Sequence, residues 1–405
     1  MFKIIACSLL SIYFIFQLFL HILEYRNRKS PIPEELSDVY DEKTYLKWKE
    51  YSAEKIKMKI ISDSVNFVII MALLISDVFA LITKNIINDY VSCIVVLAIF
   101  IGITTIVDTI FGYIDTMKIE QKYGFNKATM KTFVADQIKG FIISAILLIG
   151  LSCLFILLYK AMHDYILILF TGILFIIILF IAFLFPYLSK VFNKFTSLEE
   201  GELREALTKM LESHGYKVRD IKVMDASRRT TKSNAYFSGY GKSKTIVLYD
   251  NLLKVMSNNQ IIAIFAHEMG HGLHKDTLKN SLLSLLNIAI IVVMAWLLVK
   301  FPEIHYDFGF IAVNYGLAVI LLLNAVLPII TTLLGFLTSY VSRRAEYRAD
   351  EQAVKEGYGE DLISGLKNLY REDLGDLNPH PLIVLLKYSH PTLSQRIRHI
   401  NKVKK

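Results

Sequence analysis

Two histidines stand four residues apart in Ala266-His267-Glu268-Met269-Gly270-His271, with a carboxylate directly after the first. On a helix, positions i and i+4 lie one above the other, so both imidazoles can reach one Zn2+ at about 2.0–2.1 Å. Glu268 then points to the neighbouring side, where it can hold and deprotonate a water whose pKa zinc lowers toward about 7. The bland alternative is a pair of helical histidines satisfied by ordinary packing. Zinc needs a third protein ligand, and the metzincin continuation is excluded because His274 and Thr277 stand where Gly and His would be required. Farther on, Glu346-Tyr347-Arg348-Ala349-Asp350 again sets two carboxylates four apart. One of them can bind metal while the other orients a ligand imidazole; a solvated, charged helix end is the competing reading.

These side chains need elements to hold them. Ile261, Ile262, Ile264 and Phe265 are apolar at helical spacing behind the N-cap offered by Ser257-Asn258-Asn259, which predicts a helix over Gln260 to Lys275. Upstream, Glu199 to His214 reads as an amphipathic helix and Val218–Val223 as a strand. Asn234–Phe237 and Thr245–Tyr249 read as a hairpin around Gly239-Tyr240-Gly241. A small sheet ahead of such a helix offers an edge on which an extended substrate backbone can pair. A late histidine in Tyr388-Ser389-His390-Pro391-Thr392 is either structural or a donor to a developing oxyanion.

The remainder of the chain is apolar. Of 405 residues 54% are hydrophobic and mean hydropathy is +0.44, the balance of a polytopic membrane protein. Seven stretches can span: Ile4–Leu23, Val65–Ile82, Val91–Phe111, Ile138–Tyr159, Tyr165–Leu188, Ser281–Val299 and Phe308–Tyr340. Apart from Lys3, Lys84, Lys160 and Lys300, all 45 Lys and Arg fall in loops 24–64, 112–137 and 189–280, in the tail 341–405, or at the helix start Lys139. This asymmetry predicts an N-terminus outside or luminal and a cytosolic C-terminus. The net charge of +8 is mostly the same topological bias, with attraction to an anionic leaflet, and makes no case for nucleic acid. Cys7, Cys93 and Cys153 fall in spans and form no ligand cluster. Asn66, Asp77, Asp108, Asp115 and Asn324 lie within or at the ends of spans and are expected to face a bundle interior or a watery cavity. The motif helix enters the sixth span within about ten residues of His271, roughly 15 Å at helical rise, so the metal belongs near the cytosolic membrane boundary.

In order and spacing, seven fragments resemble the integral-membrane CAAX prenyl proteases of type I. They are Asp38-Val39-Tyr40, Glu120–Lys127, Ser233-Asn234-Ala235-Tyr236, Ser243–Asp250, the His267 motif, Glu346–Asp350 and Tyr388-Ser389-His390-Pro391. The resemblance implies zinc held by His267, His271 and Glu346, with Glu268 as base and Asn234 and His390 near the substrate, which leaves Asp350 as the carboxylate that orients a ligand imidazole. It also implies a predominantly α fold, a seven-helix membrane bundle around a chamber, with a zincin-like α+β part in the cytosol. The expected division is 1–188 for five spans and two cytosolic loops, 189–280 for the protease segment, 281–340 for the last two spans and 341–405 for the part bearing the third ligand. The expected partners are membrane lipids and a peptide or protein substrate, prenylated or not, in the endoplasmic reticulum if the source is eukaryotic and the cytoplasmic membrane if bacterial. Gly272 and Asp276 stand where eukaryotic members carry Trp and a further His, and Asp there is more like the related membrane heat-shock proteases. Competing readings are a membrane-protein quality-control metalloprotease and a non-catalytic scaffold or transporter.

Overall fold

A computed structural model describes residues 1–232, 234–238 and 243–405. Ser233 and the expected hairpin turn Gly239-Tyr240-Gly241 lie outside the described residues. Most of the chain is helical, and among the described residues six helical runs are long and apolar enough to cross a membrane: Phe2–Asn27, Glu42–Ile75, Asp89–Glu120, Met130–Ile181, Leu278–Lys300 and Tyr315–Lys355. Their starts are written locally. Asp41 accepts from the Thr44 N–H, Asn88 from those of Tyr90 and Val91, and Thr129 from that of Thr132, each satisfying donors that the first helical turn leaves free.

The count is six rather than seven because the expected spans Ile138–Tyr159 and Tyr165–Leu188 fall in one long run. That run is interrupted at His163, which has φ +49° and opens a single 3-10 turn, His163–Tyr165. Two other boundaries differ from the sequence reading. The expected span Val65–Ile82 is divided: its helix stops at Ile75, Asp77 turns left-handed at φ +52°, and a short helix Val78–Thr83 follows. Asp77 there pairs with Lys3 of the first helix, a long-range contact invisible to hydropathy. The last span begins at Tyr315, where Asn314 caps it by accepting from the Leu317 N–H, instead of at Phe308. It passes through a π-helical turn at Leu322–Val326 just before Pro328, where the widened turn accommodates the missing proline N–H. The helix then continues as Leu327–Lys355, carrying Glu346 and Asp350 out of the apolar region without a break.

Four strands form one sheet: β1 (Phe195–Ser197), β2 (Lys217–Met224), β3 (Ala235–Ser238) and β4 (Ser243–Tyr249). Their order is β1-β2-β4-β3, with β3 and β4 antiparallel as expected of a hairpin, β2 parallel to β4, and β3 at the edge. The molecule has two large cores. One, built on Leu74, Phe100, Ile156, Val292 and Leu321, holds the apolar helices together. The other joins the sheet and the short helices to the His267 motif through Leu36, Trp48, Ile246, Phe265, Leu366 and Ile397. Cys7, Cys93 and Cys153 are free thiols. Of the polar groups in the spans, Asp115 pairs with Lys55 at 2.5 Å, while Asn324 donates to its own helix at the Ile320 carbonyl, 2.8 Å away.

Candidate metal centre

The motif helix runs Asn258–Leu273 and starts with a complete capping box: Ser257 accepts from the Gln260 N–H and the Gln260 side chain accepts from the Ser257 N–H. Its apolar residues Ile261, Ile262, Phe265 and Met269 are buried in the sheet-side core, fixing the opposite face. Helix Leu327–Lys355 crosses this helix at Gly270. A Cβ placed there would stand 2.9 Å from the Ala349 Cα and 3.0 Å from the Gln352 Cβ, so the lack of a side chain sets how closely the helices approach.

This approach brings three donors together. His267, His271 and Glu346 each offer a ligand atom within 4.8 Å of the others. His267 Nε2 is 3.4 Å from Glu346 Oε2, and His271 Nε2 is 3.3 Å from Glu346 Oε1. Ligands about 2.0–2.1 Å from a tetrahedral ion lie roughly 3.3 Å from one another, so the spacing fits a metal. Glu346 is buried and its two oxygens face ring nitrogens of His267 and His271, a donor set that suits a shared cation. The imidazoles stand nearly perpendicular, at 88° with centroids 4.9 Å apart, each turning Nε2 inward.

Both Nδ1 atoms are engaged from behind. His267 Nδ1 lies 2.9 Å from Asp350 Oδ1, and Asp350 is wholly buried. Arg396, from helix Leu393–Val403, grips that carboxylate with two bonds, Nε to Oδ2 at 3.0 Å and Nη2 to Oδ1 at 2.6 Å. His271 Nδ1 lies 3.1 Å from Asp276 Oδ2. A carboxylate behind an imidazole fixes its tautomer and leaves Nε2 as the donor to metal. Burial and the Arg396 guanidinium push the His267 imidazolium down, while hydrogen bonds to Asp350 and Glu346 push it up; the second pair prevails and raises it to about 9. Burial presses Asp276 upward, but His271, Lys279 and Arg348 outweigh it and keep the carboxyl below its ordinary range.

Glu268, half-buried, has no hydrogen bond or ion pair among the described residues, leaving both its oxygens available. His390 reaches the site with Nδ1 2.9 Å from Glu346 Oε2 and its side chain 61% exposed. Asn234 stands apart from this set. It is exposed at the start of β3, where its Oδ1 accepts the Ala235 N–H at 2.8 Å and its carbonyl accepts the Tyr249 N–H at 3.0 Å. β3, one of the two edge strands of the sheet, packs against the motif helix.

Residues 21–194 match the family described as CAAX prenyl protease N-terminal, five membrane helices, and residues 197–404 match peptidase family M48. The chain belongs to peptidase family M48. It is 31% identical to the CAAX prenyl protease 1 homolog of Arabidopsis thaliana, over 96% of this chain and 95% of that one. It is 27% identical to CAAX prenyl protease 1 of Saccharomyces cerevisiae, over 96% and 93%. The crystal structure of S. mikatae Ste24p superimposes with a TM-score of 0.92 at 27% identity, covering 99% of each chain. The apolar helices and the membrane-helix family together make this M48 peptidase an integral, multi-pass membrane protein.

The sequence reading missed three contributors to the centre: Arg396, the contact between Asp276 and His271, and the close approach at Gly270. Arg396 had a usable signal. In Leu393–Val403 the residues Leu393, Ile397 and Ile400 mark the buried face, and Arg396 falls on that face, where an unpaired charge would be prohibitive.

Proposed function

We propose that this M48 peptidase is a zinc endopeptidase that cleaves C-terminal peptides of CAAX type from prenylated proteins, working at the cytosolic boundary of its membrane. The observation that carries the reading is the trio His267, His271 and Glu346, whose two imidazoles present Nε2 inward while buried carboxylates hold Nδ1. His267, His271 and Glu346 would hold the ion; when bound, zinc supplies a Lewis acid that acidifies water and polarises the scissile carbonyl. Glu268, next to His267 and unpaired, takes the proton from the attacking water and returns it to the leaving amine. Asp350, clamped by Arg396, keeps the His267 ring in register. β3, at an edge of the sheet, would pair with the extended substrate, with Asn234 at the strand's start and His390 on the other approach to Glu346 as groups that would contact the peptide or its oxyanion. Read at the break at His163, the run Met130–Ile181 counts as two crossings and the bundle as seven helices, and we place a chamber within it. The names of the Arabidopsis and yeast relatives favour the CAAX substrate class.

Purified protein offered matched peptides, prenylated and unprenylated, with CAAX and scrambled ends tests the substrate. Preference for the prenylated CAAX peptide is expected, and equal cleavage of all four would remove CAAX processing in favour of broad membrane-protein turnover. Glu268→Gln should keep its zinc and lose hydrolysis by about 10²–10⁴-fold or more. Retained turnover would assign the base elsewhere.

A further inference from the structure

The carboxylate behind His271 comes from an unexpected place. Asp276 lies five residues on, and in an unbroken helix a residue five positions ahead points roughly 140° away, out of reach of the ring. The chain solves this with a break. The motif helix ends at Leu273, Lys275 takes a left-handed conformation at φ +55°, ψ +35°, and Asp276 opens the next helix, Asp276–Lys300, beneath the imidazole. A left-handed residue with a Cβ is unfavourable and persists only where its surroundings hold it, here at the join between the ligand helix and a membrane helix. Asp276 is 4% exposed, and its two oxygens are divided: Oδ2 faces His271 Nδ1 at 3.1 Å, while Oδ1 accepts from Arg348 Nη2 at 2.8 Å and from Lys279 Nζ at 3.3 Å. Arg348 sits two residues after Glu346 on helix Leu327–Lys355.

We propose that Asp276 is the positioning residue of His271: it holds the ring by Nδ1 and, through Arg348, ties that ring to the helix that carries Glu346. The two imidazoles are thus each oriented by a carboxylate of their own. Asp350, on helix Leu327–Lys355, serves His267 with Arg396 of the C-terminal helix, whereas Asp276, at the start of a membrane helix, serves His271 with Arg348, which lies on the same helix as Asp350. Arg396 is 8% exposed and Asp350 fully buried, but His271 has a quarter of its side chain open, so its orientation depends more on this one carboxylate than on packing.

The proposal rests on the reading of His267, His271 and Glu346 as metal ligands, and the test separates the two. Full-length protein in detergent is prepared with Asp276→Ala, Asp276→Asn, Arg348→Ala and Glu346→Ala. Zinc affinity is measured by chelator competition, and the cobalt-substituted forms are compared by visible absorption. Asp276→Ala should weaken zinc binding by about 10- to 100-fold and shift the cobalt bands. Asp276→Asn, which keeps the size and an acceptor but not the charge, should recover part of the loss; it also decides the matter if the alanine protein does not fold. Arg348→Ala should show a smaller loss of the same kind. Zinc affinity and cobalt spectra unchanged in both Asp276 variants, with zinc lost in Glu346→Ala, would overturn the role of Asp276 alone. Zinc retained in Glu346→Ala would instead overturn the ligand assignment beneath it.

Discussion

At the scale of single residues, His267 combines deep burial with a raised proton affinity. Its ring faces Glu346 on one nitrogen and Asp350 on the other, and the pair of carboxylates outweighs burial and Arg396 to raise it to about 9. His271 is raised as well, burial being outweighed by Glu346 and Asp276. A group raised in this way is protonated below its pKa, so metal entering at neutral pH must expel a proton, and metal affinity should climb with pH until about 9. Calorimetric titration of metal-depleted protein at pH 7, in two buffers of different ionisation enthalpy, should report one to two protons released per zinc. No release would mean the rings are neutral and that burial and Arg396 dominate the balance. Residue types and spacing alone make the histidine pair legible, because a helical i, i+4 pair has few other uses that leave a glutamate between them. Asp276 is not legible in the same way. Its contact depends on a left-handed Lys275, and neither hydropathy nor periodicity registers the sign of one dihedral angle.

At the scale of elements, the centre is a crossing of two helices, and Gly270 controls the distance between them. Alanine is the better helix former by about 1 kcal/mol, so a Gly270→Ala change in isolation would stabilise the motif helix. Here the added Cβ would lie 2.9 Å from a backbone carbon of Ala349, which cannot rotate away, and overpacking of this kind costs about 1–3 kcal/mol. The clash should win: a lower melting temperature is expected, with zinc affinity reduced at least tenfold as Glu346 moves off the histidines. Unchanged melting and affinity would show that the helices can separate without disturbing the ligands. The motif helix itself is readable to within two residues at each end, since Ser257 and Gln260 announce its start and the apolar residues its face. The spans near Asp77 and Phe308 are misplaced for the opposite reason. Their apolar composition runs on through the breaks, and what stops each helix is a tertiary contact or a cap from a residue, Asp77 or Asn314, whose role depends on folding.

At the scale of the whole molecule, the charges divide the two ends of the bundle. The terminal amine pairs with Asp307 at 2.5 Å, Lys3 with Asp77, Lys160 with Asp89 at 2.5 Å and Lys300 with Asp164 at 3.4 Å. Three of the four lysines expected on the outer side, Lys3, Lys160 and Lys300, thus meet carboxylates in the folded chain. A cysteine at Tyr306 should react with an impermeant reagent from outside, and one at Lys404 only after the membrane is opened. Labelling of both from one side would require a different path through the bilayer.

The core beneath the metal centre is closed by segments far apart in the chain. The Tyr40 hydroxyl donates to the Tyr370 and Gly375 carbonyls at 2.9 and 2.7 Å, Arg371 donates to the Asp38 and Val39 carbonyls, and Leu36 and Trp48 share one core with Leu393 and Ile397. During synthesis, then, the ribosome releases His267 and His271 well before Glu346, and Glu346 before Arg396, the clamp on Asp350. A growing polypeptide therefore carries the two imidazoles long before the carboxylate that completes the trio, and the trio before the arginine that steadies it.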